Sequence, residues 1–441
     1  METAPSAPAR PSRPPRRSPG AVIGALGVVL AAAILAGCSS GDGTAALGTG
    51  PIVFADGRDT SRGSQIKRLV ARWNDANPGE RVEMVELSES TTDVRAQAVA
   101  RAQDAEATAT GEPAPVCYDV MTVDVIWTAE YAHWGYIVPL GQDDFDHEAF
   151  LGRTIDSVRY KGRLWGMPLR SDVGLLYYRA DALNAANTPP PRTWEEMRQQ
   201  ARTIAPANGL RGYVTQLDRY EGFTVNTLES IWDSGGELLS RDGGVVATKD
   251  TIRKGFDRLY QGVQEGWIPR DTTGFNEERA RGAFQDGRAL FMRNWTYAYE
   301  LLNAGDSPVK GRFGVAPLPT PSALGGWNLA LSKCSKRRGT ALRFMRYLTS
   351  EESERTLFAY AGFAPSRKAL YEDAALQRAH PHLGVIRQGI EGSRDRGTSP
   401  YYDQISSAFQ ADLHQALTRP GGYDAELTRL TDDLRRAADG R

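Results

Sequence analysis

Asp124 follows the apolar run Tyr118–Val123 and precedes Val125-Ile126-Trp127. A carboxylate at the C-terminal end of a strand sits where ligands lie in open α/β sheets. Asp is also a good helix N-cap, and the residues leave both roles open. Arg170 and Asp172 lie between two strand-like segments, where Asp172 is either a ligand acceptor or a turn residue. Glu221, in Tyr220-Glu221-Gly222, is a rim carboxylate or a helix-entry charge. Trp295 follows Arg293-Asn294, and Trp327 follows Gly325-Gly326. Core packing is the commoner fate of Trp, yet an indole on a glycine-rich approach is well placed to meet a ligand. Arg396 stands in the turn-rich loop Asp395–Tyr402, either solvated or reaching inward. Together these types suit a ligand with hydroxyl edges and apolar C–H faces, a sugar. Carboxylates accept the hydroxyls strongly, and Trp and Tyr rings supply apolar area with a polar tip.

Catalytic and cofactor motifs do not support an enzyme. The chain has no GxSxG elbow, no GxxxxGK[ST] loop, no HExxH and no dinucleotide fingerprint. Among its acids none stands out as a glycosidase pair, whose separation sequence cannot show. The five histidines are scattered, and His380 and His382, two apart in a loop-like run, read as surface residues. No metal and no cofactor are expected. Cys117 and Cys334 could form a disulfide in an oxidising exterior or be small buried hydrophobes. Residues 1–37 hold four arginines and one glutamate; without them the 53 basic and 54 acidic residues become 49 and 53, a formal net charge of −4. That balance is no footprint of nucleic-acid binding.

The elements that must position these residues alternate. Pro51–Ala55, Arg81–Leu87 and Tyr118–Val123 read as strands, with helices at 66–73 and 92–106 between them. This is the pattern of an α/β lobe with a largely parallel sheet. Residues 168–172 are a plausible crossing between lobes. Thr193 and Glu196 make a capping box, and Trp73, Trp194 and Trp232 fall on helical faces as packing residues. At the front, Arg10, Arg13, Arg16 and Arg17 precede the apolar run Gly20–Gly37, then Leu35-Ala36-Gly37-Cys38 with a Ser/Gly spacer. This is a signal segment with small residues at the cleavage point, although the run is also about as long as a membrane span needs. About 404 residues follow residue 37, more than one hydrophobic core usually serves, so two lobes are expected. Residues 38–50 read as a flexible tether.

Several segments carry a resemblance. Tyr118–Ala132 with Gly135–Leu140, Tyr160–Pro168 with Asp172–Arg179, Gly325–Ser332 and Thr398–Tyr402 resemble, in order, the extracellular sugar-binding proteins of ABC importers. The likeness is strongest to the trehalose/maltose-binding branch, including the trehalose receptors of actinobacteria. It implies a two-lobed periplasmic-binding-protein type of α/β fold with several hinge crossings. Lobe 1 would span 51–168 with a return segment at about 300–360. Lobe 2 would span 169–299 with a C-terminal segment at about 361–441. It implies that Asp124, Asp172, Glu221 and Arg396 meet sugar hydroxyls, with Trp295 and Trp327 as walls; Arg170, at a position that is aromatic in some relatives, either pairs with an acid or holds a sugar hydroxyl. Where relatives place a polar or acidic contact, at 58–65, this chain offers Asp59 or Gln65. The sequence from Arg10 to Cys38 resembles a bacterial lipoprotein signal, which implies 1–37 removed and Cys38 acylated. The implied protein is a monomer on the outer face of the cell membrane that passes a disaccharide to a permease. Trehalose is the implied ligand, with maltose, another oligosaccharide or a glycerol-phosphate sugar as alternatives; a surface glycoside hydrolase is the reading from another class.

Overall fold

The computed structural model describes residues 48–59, 62–107, 117–240, 243–419 and 421–440. The signal segment, Cys38 and most of the tether lie outside the described residues.

Among the described residues, eleven strands make two main sheets and a hairpin. β1 (Ile52–Asp56), β2 (Val82–Glu86) and β3 (Val120–Asp124) are followed by the hairpin β4 (Arg159–Tyr160) and β5 (Arg163–Leu164). Then come β6 (Met167–Val173), β7 (Leu175–Arg179), β8 (Arg211–Val214), β9 (Ala289–Asn294), β10 (Phe313–Pro317) and β11 (Leu324–Leu331). The first sheet has the order β2-β1-β3-β11-β6, and the second β10-β7-β9-β8. β1 runs parallel to β2 and β3, whereas β11 is antiparallel to both β3 and β6. The first sheet is therefore mixed rather than largely parallel, because β11 re-enters it from the opposite end after the second sheet is built.

The chain leaves the first sheet at Gly174, between β6 and β7, and not at 168–172, which are strand residues of β6. A Cβ at Gly174 would lie 2.7 Å from the Arg293 guanidinium, so only glycine lets that buried cation approach the crossing. Return to the first sheet comes after Pro317 rather than at about 300, because Phe313–Pro317 pairs with Leu175–Arg179 in the second sheet. That pairing was invisible in a segment whose own pattern suits either sheet.

Local physics explains the helices. Ile66, Leu69, Val70 and Trp73 form one buried face of Gln65–Ala76. They pack under the first sheet, with Trp73 and Phe54 edge-on to Phe344 at 5.5 and 5.4 Å. Thr193 accepts from the Glu196 N–H at 3.1 Å, opening Trp194–Ala207. The Glu196 carboxylate reaches back to the N–H of Arg192, one residue before the cap. Ser350 likewise caps Glu351–Ala361 through the Ser353 N–H. On the second sheet Tyr177, Phe284 and Met292 are fully buried, joined by Leu370, Ile386 and Ile390 from later helices. Glu221–Asp233, Lys249–Gln264, Tyr402–Thr418 and Tyr423–Ala438 pack through Phe223, Phe256, Phe409 and Leu430. Trp73 and Trp232 are buried, and Trp194 meets Trp267 edge-on at 5.3 Å.

Cys117 and Cys334 are bridged, with Cα atoms 5.9 Å apart, joining the entry to β3 with the exit of β11. Among the described residues no helix is long and apolar enough to cross a membrane. His380 and His382 are not surface residues. His382 is 6 % exposed and stacks on Tyr299 at 3.6 Å, while His380 lies 3.3 Å from Glu300. Helices on both sides of Pro381 turn the two rings inward, which a local loop-like pattern does not reveal.

Candidate functional site

Strand register brings remote residues into one row. Trp327 pairs directly with Asp124 on one side and with Arg170 on the other. Directly opposed residues share a face of the sheet, so a carboxylate, an indole and a guanidinium stand side by side. Two residues along β11, Gly325 faces Asp172. Gly326 between them has φ 120°, and a Cβ there would stand 2.3 Å from the Arg170 carbonyl. The glycine pair therefore lets β11 lie close against β6 and delivers Trp327 to the row.

This row borders an open cleft that holds about 180 Å³ of water-accessible space. Asp59 lines it after the C-terminal end of β1, Asp124 ends β3, and Trp295 follows β9. Ligand sites of open α/β sheets favour those strand ends. Asp59, Asp124, Arg170, Asp172, Glu221, Trp295, Trp327 and Arg396 all line the cleft. Gln65 does not: its amide turns back to the carbonyls of Arg62 and Gly63 at 3.5 and 3.4 Å, holding its own turn.

Arg396 is the electrostatic centre. It is 5 % exposed and donates to Glu221 at 2.8 Å and to Asp124 at 3.0 Å. Tyr402 and Ser406 also donate to Glu221, at 2.8 and 2.5 Å. Burial pushes both carboxyls above their ordinary range, and the Arg396 charge opposes that rise. Burial works against the guanidinium, but Asp124 and Glu221 outweigh it and drive its pKa up. Its Nε is buried without a protein partner, a donor still unspent. Asp124 accepts the Ile126 N–H at 3.2 Å, the capping role its sequence position allowed, and it also pairs with Arg396 at 3.0 Å.

Asp172 takes three donors on one oxygen: the Thr296 N–H at 3.0 Å, its hydroxyl at 2.9 Å and the Val173 N–H at 3.2 Å. Desolvation still pushes its pKa up to about 6. A carboxyl raised in the folded state adds stability below its unfolded pKa of about 4, and loses it as pH rises through about 6. Asp172→Asn is therefore expected to gain on the wild type, by on the order of 2 kcal/mol, between about pH 4 and pH 7. Urea unfolding at both pH values checks this; a difference that does not change with pH contradicts it.

The two indoles are held differently. Arg293 covers one face of Trp295 at 3.8 Å, and Trp295 lines the cleft. Arg293 is itself buried and paired with Glu229 at 2.7 Å. The Trp295 Nε1–H donates to Glu277 at 3.2 Å. Trp327 meets Trp127 edge-on at 6.3 Å, and Arg170 lies 5.5 Å from its ring. Arg170 also faces Phe363 at 4.6 Å and pairs with buried Asp56 at 3.4 Å.

Sequence reasoning missed Tyr220, Glu277, Glu278 and Tyr297 on the far wall. The Tyr220 hydroxyl donates to Glu277 at 2.6 Å and that of Tyr297 to Glu278 at 2.7 Å. Asn276-Glu277-Glu278 has the form of an ordinary helix start, with the Asn276 side chain capping Arg279. Only tertiary packing shows that its acids point into the cleft.

The family model described as "Bacterial extracellular solute-binding protein" matches residues 57–355. The chain belongs to this family of extracellular solute-binding proteins. A probable ABC transporter-binding protein of Deinococcus radiodurans is 30% identical over 333 residues, 72% of this chain and 79% of that one. The maltose-bound T. maritima MalE3 structure is 31% identical, with TM-score 0.79, covering 87% of this chain and 99% of that one. The GacH receptor of Streptomyces glaucescens, solved unliganded and with acarbose, shares the fold at 21% identity and TM-score 0.75, covering 89% and 99%. The two sheets are thus the two lobes of a periplasmic-binding-protein fold. Extracellular solute-binding proteins of ABC transporters bind and hand over a solute; this one is not an enzyme.

Proposed function

We propose that the cleft captures a disaccharide, trehalose, for delivery to an ABC permease in the membrane. The observation that carries this reading is the pairing of indole platforms with a surplus of acceptors. Trp295 and Trp327 share the cleft with Asp59, Glu89, Asp124, Asp172, Glu221, Glu277 and Glu278, against Arg58, Arg170 and Arg396. Two of those arginines are engaged by Asp56, Asp124 and Glu221. An acid-rich cleft with committed cations disfavours a glycerol-phosphate sugar and suits neutral hydroxyls. Maltose is the second reading, because a relative 31% identical was solved with maltose bound. Closure of the lobes would bury the sugar, and every hydroxyl then needs a partner. Lipidation at Cys38 would keep this monomeric receptor at the outer face of the membrane, with 38–50 as its tether.

A thermal-shift panel of trehalose, maltose, sucrose and a glycerol-phosphate sugar tests the assignment. A ligand at 100 times its Kd stabilises by about 2.7 kcal/mol. Trehalose is expected to give the largest shift, unchanged on the panel by any hydrolysis of the sugar. A shift from another solute alone contradicts the trehalose assignment, and disaccharide cleavage contradicts a receptor.

A further inference from the structure

We propose that Glu300, His380 and His382 form a site for a divalent transition metal, zinc by preference. Nothing in the sugar-binding reading requires it, and it lies outside the residues lining the cleft. One ligand atom from each of the three side chains comes within 4.8 Å of the others. Ligands of a tetrahedral zinc, each about 2.1 Å from the ion, stand about 3.4 Å apart, so a pair at that limit closes by about 1.4 Å, shared between its two side chains.

The ring of His382 supplies the second observation. It is 6 % exposed, and neither Nδ1 nor Nε2 has a hydrogen-bond partner. A buried imidazole almost always satisfies its N–H, so two orphaned nitrogens ask for a ligand. The ring is held by Tyr299, stacked at 3.6 Å, and Phe358 lies 5.7 Å away. His380 is 3.3 Å from Glu300, with side chains only 13% and 15% exposed. The three residues come from separate elements. Glu300 is in Ala298–Leu302, His380 follows Ala374–Ala379, and His382 precedes Leu383–Gly392. Pro381 between the histidines stiffens their spacing.

Two imidazoles and one carboxylate are donors for zinc and its neighbours rather than for calcium or magnesium, which prefer all-oxygen shells. Three protein ligands leave one position for water. Bound metal would tie Ala298–Leu302 to the 380–382 turn, both against the second sheet's core. Its effect is therefore structural, separate from sugar capture.

The test uses purified protein made without a polyhistidine tag and stripped with chelator. Zinc titrated by calorimetry is expected to bind at one equivalent and to raise Tm, whereas magnesium does neither. His380→Gln and Glu300→Gln are each expected to weaken zinc by at least about tenfold, the scale on which even outer-shell partners act. Anomalous diffraction from zinc-soaked wild-type crystals is expected to give a peak among the three side chains, independent of how the variants fold. Failure of zinc to bind, unchanged affinity in both variants, or an anomalous peak elsewhere overturns the site.

Discussion

Replacing Arg396 with methionine is expected to cost about 3–5 kcal/mol of folding stability at pH 8, the scale of breaking a buried ion pair from one side. The guanidinium holds two carboxylates, Asp124 and Glu221, that burial already pushes toward protonation. Methionine keeps the length and loses the charge, so Glu221 loses its paired cation and Asp124 keeps only the more distant pull of Arg170. Glu221 keeps the Tyr402 and Ser406 hydroxyls, and Asp124 keeps one backbone N–H. Neutral donors offset only part of the desolvation.

The variant should recover as pH falls. With Arg396 gone, the folded pKa of each acid rises further above its unfolded value of about 4. A raised carboxyl stabilises most below the unfolded pKa and loses that contribution as pH rises through the folded pKa. The gap between variant and wild type is therefore expected to narrow from pH 8 to pH 5 in urea unfolding. A gap that is small at pH 8, or that widens on acidification, contradicts a compensating role for Arg396.

Trp327→Ala is expected to remove about 2–4 kcal/mol of sugar affinity, roughly 30- to 1,000-fold, the range of a dominant aromatic contact. The ring stands between Asp124 and Arg170 in the register of the sheet, so it can present apolar area beside hydroxyl partners. Its edge contact with Trp127 also supports the fold, so some loss of Tm is expected. The comparison that isolates binding is Trp194→Ala. Trp194 packs on Tyr213 and Trp267 away from the cleft, so that variant should lose Tm and keep its sugar affinity. Equal affinity in Trp327→Ala and wild type, measured by tryptophan fluorescence, contradicts the platform role.

Both variants rest on residues that could be singled out before any fold was known. Asp124, Asp172, Glu221 and Arg396 sat at strand ends or in turn-rich loops, where side chains face a cleft rather than a core. Trp327 carried its own sign in the two preceding glycines. What local pattern could not supply was the partner of each group. Arg396 finds Asp124 across 272 positions and Glu221 across 175, and no periodicity links such distances. Glu277 and Glu278 do not stand out in the sequence, because a good helix start and a binding wall are written in the same residues. Gln65 failed for the opposite reason: a polar side chain in a tight turn found its nearest carbonyls first. His380 and His382 looked solvent-facing because a His-Pro-His turn reads as a loop until the helices on either side bury it. The mixed first sheet came from the same blindness, since the direction of β11 depends on where the chain has been.

Calorimetric titration of trehalose into the purified wild-type protein tests the central claim most directly. The cleft predicts heat with one sugar per chain and a negative heat-capacity change from burying the apolar faces on Trp295 and Trp327. No heat from trehalose, maltose or any other sugar, with the protein folded, would contradict a sugar receptor built on this cleft.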